Sequence, residues 1–113
     1  MGDPTFRTLA ERKADAVAAK TASLAALRPV LAGHARRLGG RFLLYGSAAR
    51  GELRHGSDID LLLDFPGHDA TAAAWDAAGQ ACAGLGLDAD IRPLAWCGTR
   101  FLEHVLPEAV SLG

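Results

Sequence analysis

Apolar side chains recur in helical steps along residues 8–38. Leu24, Leu27, Leu31, Ala35 and Leu38 fall three or four positions apart, which puts them on one face of an amphipathic helix. The remainder of the stretch is rich in Ala, Leu, Lys and Arg, all good helix formers. Pro29 interrupts the pattern, so the helix either kinks there or a second one starts with Pro29 in its first turn. Gly39-Gly40 then supplies residues suited to a left-handed cap.

Beyond the cap the period changes. Arg41 to Tyr45 is a short apolar run closed by Gly46, the pattern of a buried strand. Ser47 to Gly51 reads as the first turn of a short helix, and the polar stretch from Leu53 to Ser57 as a loop. Asp58 to Phe65 is a second strand, halted by Pro66-Gly67. From Asp69 to about Gly84 the composition is helical again, with Ala74, Trp75, Ala78 and Cys82 at helical spacing. Leu87 to Trp96 is a third strand, in which Pro93 demands an edge position or a bulge. Thr99 to His104 forms a short helix, and Leu106 opens a tail that packs or joins a neighbour. Strands alternating with helices predict an α/β layer fold. The length predicts one domain over residues 1–113, with 8–38 as an extended helical segment.

Composition narrows the function classes. Half of the 113 residues are hydrophobic, enough for one modest core, and the net charge of −1 gives no footprint for a nucleic-acid backbone. No direct nucleic-acid binding is expected. Cys82 and Cys97 make neither a disulfide framework nor a zinc ribbon and are expected to be reduced thiols. His34, His55, His68 and His104 are scattered without metal-ligand spacing, although His55 stands in the loop before the acidic strand. Trp75 and Trp96 read as core or interface anchors, and Leu102, Val105 and Leu106 as core or a partner surface. No apolar run reaches the roughly 18 residues that span a bilayer. Met1-Gly2-Asp3-Pro4 lacks the basic and apolar parts of a signal peptide, so a cytoplasmic location without membrane contact is expected.

The chemistry concentrates in Gly46-Ser47-Ala48-Ala49-Arg50-Gly51 and Ser57-Asp58-Ile59-Asp60-Leu61, with ten residues between Ser47 and Asp58. Asp58 and Asp60, two apart on a strand, present both carboxylates on one face while Ile59 enters the core. Two carboxylates about 7 Å apart repel each other unless a cation sits between them. A hard divalent ion with oxygen ligands suits the pair, and two such ions stabilise the entering and leaving oxygens of an in-line phosphoryl substitution. Gly46 lets the backbone approach a phosphate, Ser47 offers a hydroxyl, and Arg50 adds a planar cation one turn on. A third acid would share a metal and help deprotonate the attacking hydroxyl. Asp90 is the first choice, Asp88 the reserve and Asp64 the third; Asp88 and Arg92 flank Asp90 on its own face. Gly-Ser alone is an ordinary turn, and two aspartates alone are an ordinary solvated face. Four such positions at this spacing recur by chance with a frequency on the order of 10⁻³ in such a chain, which favours a site.

The run GSAARG followed by SDIDL resembles the signature of the DNA polymerase β-type nucleotidyltransferases, and from about Leu24 onward the chain resembles the minimal members encoded beside HEPN-domain toxins. The helical segment before Leu24 is longer than a minimal member needs. The resemblance implies a small mixed sheet with packed helices. It also implies that Gly46, Ser47 and Arg50 contact the triphosphate, and that Asp58, Asp60 and Asp90 are catalytic and hold two Mg²⁺. Minimal members serve as antitoxins, and some transfer AMP from ATP to a tyrosine hydroxyl of the toxin. Larger members carry further domains for the acceptor, so here the acceptor is expected to be another protein, a HEPN-type toxin. Two alternatives stay open: an antitoxin that neutralises by contact alone, and a small-molecule (antibiotic) nucleotidyltransferase.

Overall fold

The computed structural model describes residues 8–54, 56 and 58–112. Its order is α1 (Leu9–Leu38), β1 (Arg41–Tyr45), α2 (Gly46–Ala49), β2 (Ile59–Asp64), α3 (Gly67–Gly84), β3 (Ala89–Pro93), α4 (Thr99–Val105) and β4 (Val110–Ser111), with short 3-10 turns at Leu94–Trp96 and Leu106–Glu108. The sheet runs β3-β2-β1-β4. β1 is antiparallel to both β2 and β4, while β2 and β3 are parallel. The mixed sheet expected from the resemblance is therefore present.

α1 opens on a reciprocal capping box: Thr8 Oγ1 accepts from the Glu11 amide, and the Glu11 carboxylate accepts from the Thr8 amide. It closes at Gly39 with φ 77°, where a side chain would be strained. One helix runs through Pro29. Pro29 and Ala25, whose carbonyl loses its partner, are both exposed, so water can satisfy that oxygen. The residues of α1 that become buried are Leu24, Leu27, Leu31 and Ala35. The half before Leu24 extends past the core.

Strand alternation then divides the core between the two sheet faces. Phe42, Leu44, Ile59, Leu61 and Leu63 meet α1 and the Ala74-Ala78-Cys82 stripe of α3 on one face. Leu43, Tyr45 and Leu62 meet Val105, with Phe101 and Leu102 of α4, on the other. Val105 is thus core, whereas Leu106 is exposed. The tail after it does pack, returning as β4 against Leu43 and Leu44. Pro93 ends β3, an edge strand as its missing amide requires. Trp75 and Trp96 are 36% and 69% exposed and meet edge to face at 5.4 Å, so neither is a core anchor.

Phe42 is fully buried at the centre of the first face, with its ring 5.0 Å from that of Phe65. Phe42→Ala is expected to cost about 3–5 kcal/mol of stability, read as a lowered urea midpoint; a change below about 1 kcal/mol would place the core elsewhere.

Candidate active site

The site is built where β1 ends and β2 begins, on the face that carries α4. Gly46 leaves β1 with φ 71°, a conformation that costs glycine little. A Cβ added at Gly46 would collide with the Asp60 carboxylate. The turn that opens α2 therefore lies directly against the acid, and it can do so because residue 46 has no side chain. α2 itself is one turn long: the Gly46 carbonyl accepts from the Arg50 amide at 3.3 Å, and the Ser47 carbonyl from Glu52 at 2.8 Å. Its leading amides have no intrahelical acceptor, as at any helix start, and remain donors for an anion.

Three residues line up across the sheet beside it. Tyr45 of β1 pairs with Asp60 of β2, and Asp60 with Asp90 of β3. Neighbouring strands lie about 4.8 Å apart, so the Asp60 and Asp90 carboxylates share one face at close range. Asp58 stands one residue before β2 and is exposed. Burial raises the Asp60 pKa above the ordinary carboxylate value; repulsion from Asp90 and Asp58 adds to this, and Arg92 opposes it. The Tyr45 phenol, 6% exposed, is pushed up to about 12 by burial first and by Asp60 next. The electrostatics of both groups describe a pocket of surplus negative charge.

The remaining candidates fall differently. Asp90 Oδ2 accepts from Arg92 Nε at 3.1 Å and from its Nη2 at 2.9 Å. Asp88 is exposed before β3, and its carbonyl accepts from the Ile59 amide. Asp64, at the far end of β2, is bound to Arg41 at 2.7 Å. The Arg50 guanidinium is held by Glu52 and Glu108, each at 3.2 Å, so it must leave them to meet a phosphate. Ser57 and His55 lie outside the described residues. Cys82 is buried and Cys97 partly buried, both as free thiols. A cleft of about 550 Å³ between Phe65, Trp75 and Trp96 lies at the opposite end of β2 from Asp58.

Do these residues fit a divalent cation? Asp58 and Asp60 do, as unbalanced oxygen donors beside a backbone turn open to phosphate. Among the described residues, no three His, Cys, Asp or Glu side chains converge closely enough to hold an ion as they stand. Asp90, the third acid, has its Oδ2 occupied by Arg92. Sequence spacing hinted at this contact, because positions 90 and 92 share a strand face. The Arg50–Glu108 pair gave no such signal, since 58 positions separate its members.

The mixed sheet presents a glycine turn against paired acids. The nucleotidyltransferase domain model matches residues 32–103, and the chain belongs to that family. Its fold is similar to that of a crystal structure of a toxin–antitoxin with AMP-PNP. The two are 22% identical, with a TM-score of 0.57, over 76% of this chain and 72% of that one. None of the curated proteins matches significantly. Among the described residues, no helix is long and apolar enough to cross a membrane.

Proposed function

We propose that this chain is a cytoplasmic antitoxin that transfers AMP from MgATP to a tyrosine hydroxyl of a HEPN-type toxin. The observation that carries this reading is the close approach of Gly46 to the Asp60 carboxylate, which supports a turn that would bind phosphate beside an acid that would hold metal. Membership of the nucleotidyltransferase family supports the reaction type. The toxin–antitoxin neighbour with AMP-PNP supports the partner and the nucleotide.

Asp58 and Asp60 would hold the Mg²⁺ ions, and Asp90 would join them after leaving Arg92. Magnesium bound there supplies charge neutralisation of the triphosphate as its leaving oxygen departs. The amides that follow Gly46 and the Ser47 hydroxyl hold the leaving phosphates in place. Asp90 accepts the proton of the acceptor hydroxyl, whose oxygen bonds to the α-phosphorus as the bond to the β-phosphate oxygen breaks. Pyrophosphate leaves. Tyr45, the single tyrosine of the chain, is buried and protonated beside these acids, so a tyrosine acceptor comes from another molecule.

The Arg92–Asp90 and Arg50–Glu108 pairs favour a second reading, neutralisation by contact alone, because each occupies a side chain that the reaction requires. Mass spectrometry of a purified HEPN-type toxin after incubation with this chain and MgATP separates the two. The expected result is a gain in AMP steps, absent with the Asp58→Asn/Asp60→Asn variant. A tight complex with no mass gain would establish contact alone.

A further inference from the structure

The structure assigns Arg92 as a built-in competitor for the metal: its guanidinium holds the third acid, Asp90, out of the ion site until a divalent cation displaces it. This rests on the reading of Asp58, Asp60 and Asp90 as metal ligands, and adds a residue that this reading does not require.

Arg92 gives both hydrogen bonds to a single oxygen, Asp90 Oδ2. Its other side is held too, because the guanidinium carbon lies 5.7 Å from the centre of the Phe101 ring, within cation–π range. Phe101 in turn meets the Tyr45 ring edge to face at 5.6 Å. Tyr45 is the residue that precedes Gly46. Arg92 is thus anchored by α4 at one end of a packed row that finishes at the phosphate turn. From there it places a positive charge where Asp60, Asp58 and Asp90 concentrate negative charge.

A guanidinium and a divalent cation cannot use the same carboxylate oxygen as a close partner. Repulsion between the two cations works in the same direction. An ion that takes Oδ2, the oxygen Arg92 holds, must therefore break the Arg92–Asp90 pair. Both side chains are about half exposed, 52% and 40%, so the pair is of modest strength. It sets a threshold for the ion without closing the site.

The test is Mn²⁺ affinity, measured by calorimetry and by the loss of the free-ion electron paramagnetic resonance signal, with no nucleotide or toxin present. Arg92→Gln removes the charge, and with it the cation–π contact to Phe101, while keeping a polar side chain. It is expected to bind Mn²⁺ about two- to fivefold more tightly than wild type, the range of an exposed ion pair. A protein damaged by the substitution would bind more weakly, so tightening is a signature that structural disruption does not produce. Arg92→Lys, which keeps the charge without the paired donors, is expected between the two. In an Asp90→Asn background, Arg92→Gln should lose most of its effect. Unchanged or weaker Mn²⁺ binding by Arg92→Gln would overturn the proposal. The underlying reading fails separately: it falls if Asp58→Asn/Asp60→Asn binds Mn²⁺ as wild type does. Were no ion bound by wild type or Arg92→Gln, both would fall together.

Discussion

Asp60→Asn is expected to reduce nucleotidyl transfer by about 10³-fold or more while leaving the protein at least as stable as wild type. A metal-held transition state draws several kcal/mol from its ion, and each factor of ten corresponds to about 1.4 kcal/mol. Asparagine keeps the shape of the side chain but gives up the charge that would hold the ion. Stability should move the other way. Burial, then Asp90 and Asp58, raise the Asp60 pKa, so the folded protein binds that proton more tightly than the unfolded chain does. Stability therefore falls as pH rises from the ordinary carboxylate value through the raised one, and the penalty is complete at neutral pH. Asparagine carries no such penalty. The thermal midpoint of Asp60→Asn at pH 7 should equal or exceed that of wild type, with the gap closing as pH falls below the usual carboxylate range. A lower midpoint at pH 7 would make Asp60 a structural acid, and retained transfer would move the reaction to another site.

The opposition between function and stability at Asp60 explains why the site could be read from the sequence at all. Carboxylates spaced two apart on a strand, beside a Gly-Ser turn, are an arrangement that folding alone disfavours. The element order could be read for a related reason: apolar period separates helix from strand, and Gly39, Pro66 and Pro93 mark where each ends. What could not be read depends on where distant parts of the chain meet. The continuity of α1 through Pro29 is decided by solvent at the freed Ala25 carbonyl, not by the proline itself. β4 spans two residues, too few for any period, and exists because β1 offers a free edge at Leu43 and Leu44. Trp75 follows Ala74 by one position, which turns it about 100° from the buried Ala74-Ala78-Cys82 stripe and toward Trp96. Arg50 reads as a phosphate ligand from its place after the glycine turn, yet Glu108 reaches it from the other end of the chain.

Gly46→Ala is expected to lower nucleotidyl transfer by about 10²-fold and stability by about 1–2 kcal/mol, two effects with separate origins. The stability cost comes from φ: at 71° a side chain crowds the following carbonyl, a strain of about 1–2 kcal/mol for an L-residue. The activity cost comes from position. The new methyl would occupy the space of the Asp60 carboxylate, which can yield because it is the free end of a side chain. It would yield by moving away from the turn, separating the oxygen proposed to bind metal from the amides proposed to hold the phosphates. A misplacement of about 1 Å is enough for such a loss. Gly51 serves as the control, since it also has a positive φ, 72°, but a Cβ there meets nothing within 4 Å. Gly51→Ala should share the stability cost and keep most of the activity. Transfer rates and urea midpoints of the two variants check the division. Equal loss of activity in both would mean that backbone conformation, not the Gly46–Asp60 contact, sets the geometry of the reaction.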